Sequence, residues 1–328
     1  MEEMESRLAV YAHLAQAAED VRLGRVQPAQ ESFDDIWEVK PLHFDAFVHD
    51  IERNQWQVYG AEVYSGGQLA HSFGDTRDTR YPIYSATKSI LSIAVGIAWD
   101  QGKIDLQKCV LDYLPGRFVS EMTQEQRDLY KTITLHRLMC MSVAGYPFRP
   151  EGGSFLHFSL FRPLSAPEIP RFDYSNIPAY LIGVALTEAI QEDAWTFIEQ
   201  RILNPLQITG AAYDRCPDGY FYGASGMKLS VNELSRVGLL LHNGGTYEGN
   251  RIVSEEYVRM ATAVQQPTRE GGYGYFFWKY RDGFRISGKW GQKCFILPNE
   301  NLVVTFLGHL PDGSNALLSS METHLLEK

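Results

Sequence analysis

Apolar side chains crowd one stretch of this chain from every side. Ile90, Leu91, Ile93, Ala94, Val95, Ile97 and Ala98 follow Tyr81-Pro82-Ile83-Tyr84 and Ser85-Ala86-Thr87-Lys88, and the run ends at Asp100-Gln101-Gly102. An upstream proline and a mostly apolar run predict one buried helix of about 15 residues, with Ser85 in its first turn. Lys88, three positions on, then lies on the same face. Elsewhere the pattern alternates. Residues 58–64 and 68–73 flank Ser65-Gly66-Gly67 and predict a β-hairpin. Residues 4–25 look helical, 27–42 carry two prolines and read as a connection, and 43–53 suit a short helix.

From Ser85 to about His242 the periodicity is helical, broken by loops. It includes a helix at 179–190 and apolar faces running from Leu181 to Leu203. After Gly244-Gly245 comes a helix near 254–263. Strands at 273–280, 284–287, 293–297 and 301–307 follow, separated by Asp282-Gly283 and Pro298-Asn299, and a helix near 315–326 closes the chain. This order predicts an α+β fold, an antiparallel sheet shared by the two ends, flanked by helices, with an all-helical region inserted. The expected division is a helical N-terminal extension over 1–40, a discontinuous sheet domain over 41–84 and 245–328, and a mainly helical domain over 85–244. The extension reads as a surface brace or as a contact for another subunit, so a homo-oligomer stays open.

Composition narrows the function. At 328 residues the chain can bury a substantial core. A net charge of −10 offers no electrostatic footprint for nucleic acid. The four cysteines, Cys109, Cys140, Cys216 and Cys294, lack metal-type spacing and read as free thiols. An acidic start, Met1-Glu2-Glu3-Met4-Glu5, and the lack of any apolar run of membrane-spanning length point to a cytoplasmic protein with no membrane partner. The histidines are scattered, and no His-Glu-x-x-His, phosphate-binding glycine loop or Gly-x-Ser-x-Gly elbow is present. No metal or cofactor is implied. His136 and His157 fall near the motifs and are expected to be structural.

The chemistry gathers at Ser85. A serine hydroxyl becomes a nucleophile when a base takes its proton, and a neutral lysine amine one turn away can do so. A helix N-terminus also favours the developing anion. Ser-x-x-Lys recurs at Ser225-Gly226-Met227-Lys228, where a turn leading into the capping box Ser230–Glu233 accounts for it. Tyr174-Ser175-Asn176, the only Tyr-x-Asn of the chain, follows the loop 166–170 and precedes a helix. Its phenol could share the serine proton with Lys88, and a cationic amine beside it would lower its pKa. Without those partners it reads as a structural tyrosine.

Ser85-x-x-Lys88, Tyr174-x-Asn176 and a glycine-rich turn before the last strands together resemble the class C β-lactamase and penicillin-binding-protein family of serine hydrolases. Further segments fit: Ile133 to Met139 with Ala144-Gly145, Asn204-Pro205-Leu206, and Gly226 to Ser230 with Glu233-Leu234. The resemblance runs from about Val58 to Leu307. It implies a β-lactamase/transpeptidase-like fold and a third motif on the central strand of the sheet, at Ile286-Ser287-Gly288 or, in another register, Lys289-Trp290-Gly291. In the first register Ile286 replaces a basic residue that helps hold a substrate carboxylate, a variation shared with esterase and nylon-oligomer hydrolase branches. The implied oxyanion hole is the backbone N–H groups of Ser85 and Lys289. Two such donors, preorganised at the developing negative charge, are worth roughly 3–4 kcal/mol each in other hydrolases.

The expected protein is therefore a serine hydrolase that cleaves a small ester or amide through an acyl-enzyme. Ser85, Lys88 and Tyr174 are the catalytic candidates, and Asn176, Ser287, Gly288, Lys289 and Trp290 the substrate-binding ones. A β-lactamase or D-peptidase, and a binding scaffold without turnover, are the competing readings. The aromatic-rich segment 146–163 is either an acyl or amine pocket or a loop folded over its own small core.

Overall fold

The computed structural model describes residues 42–164, 168–312 and 314–326. The expected helix over 4–25 and the extension over 1–40 lie outside them.

The strands in chain order are β1 (Val58–Ser65), β2 (Gln68–Gly74), β3 (Tyr81–Pro82), β4 (Lys228–Leu229), β5 (Thr246–Tyr247), β6 (Asn250–Arg251), β7 (Trp278–Tyr280), β8 (Gly283–Gly288), β9 (Gln292–Leu297) and β10 (Leu302–Gly308). The helices are α1 (Phe44–Arg53), α2 (Thr87–Asp100), α3 (Gly116–Glu121), α4 (Gln124–Tyr130), α5 (Leu135–Met139), α6 (Phe155–Leu160), α7 (Ile177–Ile190), α8 (Ala194–Ile198), α9 (Val231–His242), α10 (Glu255–Thr262) and α11 (Ser314–Met321). A six-stranded sheet runs in the order β2-β1-β10-β9-β8-β7. All its neighbours are antiparallel, so strands from both ends of the chain meet at the β1–β10 pair. This is the expected α+β architecture.

Alternation along the strands sends side chains to two cores. Ala61, Val63, Phe295, Val304 and Phe306 meet Phe47 and Ile51 of α1 and Leu317 and Met321 of α11. Ile286, Cys294, Ile296, Val303 and Leu307 join the larger core on the other face, which takes in α2, α7 and α9. Each fully buried large apolar side chain contributes about 1.5–3 kcal/mol to this burial. Helix α2 is buried at every position from Thr87 to Ala98, as an apolar run on all sides requires. It packs against α7, which is also buried from Ile177 to Leu186. Among the described residues no helix is long and apolar enough to cross a membrane.

Several boundaries depart from expectation. Apolar faces from Leu181 to Leu203 belong to separate helices: α7 stops where Gln191 turns left-handed (φ 56°), and Asp193 caps α8 by accepting from Thr196 N at 3.1 Å. The aromatic run expected as a strand over 273–280 forms one only at Trp278–Tyr280. Upstream, Tyr275 N bonds to Ala261 O at 2.7 Å and Phe276 N to Met139 O at 3.2 Å, so helix ends satisfy that backbone. Strand β8, expected at the centre of the sheet, is one removed from its edge.

Candidate active site

Ser85 sits in a single 3₁₀ turn, Tyr84–Ala86, that runs straight into α2, so it lies just before the helix and not in its first α-turn. Long-range contacts pin this turn from upstream. Strand β3 pairs with β4, and Ile83 N donates to Met227 O at 3.0 Å. Arg80 grips Glu233 at 2.9 and 3.0 Å through Nε and reaches Thr209 O at 2.6 Å. Tyr84, next to the serine, is held at φ 48°, a conformation that a bulky residue keeps only when its surroundings impose it. The second Ser-x-x-Lys is thus a backbone rail for the first. Its Ser230–Glu233 capping box is formed in full.

Lys88 is buried, and its Nζ has three oxygen partners: Ser85 Oγ at 3.0 Å, Asn176 Oδ1 at 2.7 Å and Ala224 O at 2.7 Å. None of them carries a formal charge. Burial therefore acts unopposed and lowers the amine pKa to about 7. The Ala224 carbonyl had no signature in the sequence, since any residue supplies one.

Tyr174 closes the group. Its hydroxyl is near enough to Ser85 for the serine to bear on the phenol pKa, and its ring lies 5.2 Å from Lys88 Nζ. The expected lowering of the phenol pKa is not found. Burial raises it to about 12, and only Ser85 works the other way. The ring is stacked on Trp278, with centroids 5.7 Å apart. Ser175, between Tyr174 and Asn176, fixes the motif by donating to Pro147 O at 2.7 Å and accepting from Ile177 N at 3.1 Å. Asn176 N donates to Phe148 O at 2.8 Å.

The end of β8 reaches the same place. A Cβ on Gly288 would stand 2.3 Å from Ile83 O, so only glycine lets the strand come this close to the serine turn. Ile286-Ser287-Gly288 are the last residues of β8, whereas Lys289-Trp290-Gly291 form a 3₁₀ turn beyond it. Lys289 is exposed, and its amine lies over the rings of Tyr84 (4.5 Å) and Trp290 (3.7 Å). Trp290, at φ 61°, meets Tyr84 edge to face at 5.2 Å. Two neighbours had been given no role in the site from sequence. Gln292 donates to Lys289 O at 3.1 Å and to Gly308 O at 2.6 Å. Lys293 donates to Ser287 Oγ at 2.5 Å and to Gly288 O at 3.1 Å. A lysine directly before the apolar run Cys294–Leu297 was the available signal.

Segment 146–163 packs into the large core and has no small core of its own: Tyr146, Leu156 and Leu160 are part of that core. Leu156 and Leu160 are fully buried, and Phe155 packs edge-on to Tyr180 and Tyr222. Asp218 accepts from Ser154 Oγ at 2.6 Å and from Leu156 N at 3.0 Å. A cavity of about 720 Å³ opens against Phe172 and Trp278, with the exposed Arg171 and Arg269 in its lining. It reaches toward Tyr174 through Phe172 and Trp278, two of that residue's ring neighbours, and none of Ser85, Lys88 and Tyr174 lines it. His136 bonds to the Tyr275 hydroxyl at 2.7 Å, and His157 stacks on Phe161 at 4.5 Å.

Comparison with known proteins bears on the family and the fold. The sequence profile of the beta-lactamase family matches residues 45–317. The chain belongs to the beta-lactamase family, in its class C-like group of serine hydrolases. Solved structures share the fold at low identity. One, assigned as a beta-lactamase from Bacteroides dorei DSM 17855, is 17% identical with a TM-score of 0.69, covering 89% of this chain and 100% of that one. Another, assigned as a 6-aminohexanoate-dimer hydrolase from Bacillus anthracis, is 17% identical with a TM-score of 0.68, covering 84% and 80%. The penicillin binding protein from Bacillus halodurans is 17% identical with a TM-score of 0.64, covering 84% and 98%.

Proposed function

We propose that this protein hydrolyses a small ester or amide through an acyl-enzyme on Ser85. The observation that carries the reading is the environment of the Lys88 amine. Two of its partners, Asn176 Oδ1 and Ala224 O, can only accept hydrogen bonds. In the neutral amine they take both N–H groups and turn the lone pair toward Ser85. The Ser85 hydroxyl then donates to that lone pair. With its pKa near 7, the amine is free to receive the proton as the oxygen attacks the carbonyl.

Tyr174 has the complementary task. Its raised pKa keeps the phenol protonated, so it can donate to the leaving group and then take back a proton from the Lys88 ammonium, which gained it from Ser85 during attack. The backbone N–H groups of Ser85 and Lys289 receive the oxyanion of the tetrahedral intermediate. Water, activated by the same amine, then attacks the acyl carbonyl and releases Ser85. Asn176 orients Lys88. The cavity at Phe172 and Trp278 suits an acyl or leaving group with an apolar body, and Arg171 and Arg269 suit a carboxylate on it.

The test is a panel of p-nitrophenyl esters and anilides, with nitrocefin included, run on the wild type and Ser85→Ala. Turnover of an ester or anilide that Ser85→Ala abolishes supports the reading. Nitrocefin turnover alone moves the substrate to β-lactams, and equal rates for the two proteins dispose of Ser85 as nucleophile.

A further inference from the structure

Lys293 has no part in the chemistry above, yet its half-buried amine has, among the described residues, no carboxylate in contact. It stands on β9 directly opposite Ser287 of β8, with its Nζ on Ser287 Oγ at 2.5 Å and on Gly288 O at 3.1 Å. The charged groups around it are Arg285 and Glu270, and these two are paired with each other. Burial lowers the Lys293 pKa to about 8, so keeping this amine here costs stability.

Its second partner gives that cost a purpose. The Gly288 carbonyl belongs to the Gly288–Lys289 peptide. A peptide bond is planar and trans, so the Lys289 N–H points away from the side on which Lys293 holds the carbonyl. Gly288 itself lies against Ile83, next to the serine turn. A hydrogen bond into a carbonyl oxygen draws density from the amide nitrogen and strengthens its N–H as a donor. It also fixes the plane, and a donor already aimed needs no reorganisation during reaction. Gln292 secures the next peptide by donating to Lys289 O, which leaves Lys293 as the hold on the near side.

Resting on the reading that Lys289 N–H receives the oxyanion, we propose that Lys293 is a positioning residue: its amine orients and polarises the Gly288–Lys289 peptide. It touches neither substrate nor the reacting atoms. Its removal should therefore lower the rate of acylation and leave ground-state binding in place.

The experiment compares wild type, Lys293→Met, Lys293→Ala and Lys293→Arg. It measures p-nitrophenyl butyrate turnover and the rate at which a fluorophosphonate labels Ser85, with melting curves alongside. In Lys293→Met, kcat and labelling should fall about tenfold to a hundredfold, a part of one oxyanion donor's effect, while KM stays within about twofold. Methylamine should restore part of the rate to Lys293→Ala, and Lys293→Arg should retain more activity than Lys293→Met. A folded Lys293→Met with unchanged kcat, or one with KM alone altered, overturns the proposal. Should Lys293→Met fail to fold, Lys293→Arg decides: a folded arginine variant as inactive as Lys293→Ala, with no response to methylamine, overturns it as well. A wild type that is not labelled at Ser85 sinks the catalytic reading itself, which is a separate outcome.

Discussion

Lys88 Nζ stands 3.0 Å from Ser85 Oγ, and its other two oxygen partners can only accept. Hydrophobic burial and neutral acceptors together make this amine a base near neutral pH. The position of the serine depends on contacts far away in sequence, since β3, β4 and Arg80 hold the strained turn at Tyr84.

The first prediction concerns pH. Below about 7 Lys88 is an ammonium and has no lone pair for the serine proton; above it the amine is neutral. The kcat/KM for a p-nitrophenyl ester should rise through a midpoint near pH 7 and level off above it. A profile flat from pH 5.5 to 8.5 contradicts the role given to Lys88.

Stability should follow pH through the same group. The folded-state pKa is about 7 against an ordinary 10.5, so between these values the unfolded chain binds a proton that the folded one does not. Folding stability then rises with pH across that window, by up to about 1.4 kcal/mol per pH unit. The wild type should gain on Lys88→Met between pH 7 and 9 in denaturant melts. Parallel curves for the two proteins would show that burial does not shift this amine.

Tyr174→Phe removes one hydroxyl and keeps the stack on Trp278. Melting temperature should stay close to wild type, while kcat drops roughly a hundredfold or more, the usual size of a lost proton donor. The drop should be smallest for esters with good leaving groups, which need no proton. A uniform loss across leaving groups contradicts proton donation.

Gly288→Ala tests the close approach of β8 to the serine turn. The added Cβ would stand 2.3 Å from Ile83 O, so the strand must shift. We expect a loss of about 1–3 kcal/mol in stability, as for overpacking elsewhere, and a sharp fall in turnover. An alanine variant with wild-type activity would mean that the strand and the turn do not work as a unit.

Much of this arrangement was legible from spacing. The unbroken apolar run after Lys88 marked a helix buried on all sides, and the hairpin turn at Gly66-Gly67 set the first strand pair, because short-range chemistry decides both. Ser85, Lys88, Tyr174 and Asn176 were singled out because each is a chemical type in a fixed local pattern, and the fold brings them together around the Lys88 amine. What stayed hidden depends on long-range packing. The Ala224 carbonyl carries no side-chain signal. Lys293 gains meaning only when β9 pairs with β8. The pKa of Tyr174 was expected to fall for want of knowledge of its burial, and the aromatic run before Trp278 resembled a strand because composition does not reveal where backbone bonds go.

The most direct measurement is intact-mass and peptide mass spectrometry of the protein after brief exposure to a fluorophosphonate at a series of pH values. The account predicts one adduct per chain, located on Ser85, absent from Ser85→Ala, and forming faster as pH rises through about 7. No adduct at any pH, or an adduct that persists in Ser85→Ala, would contradict it.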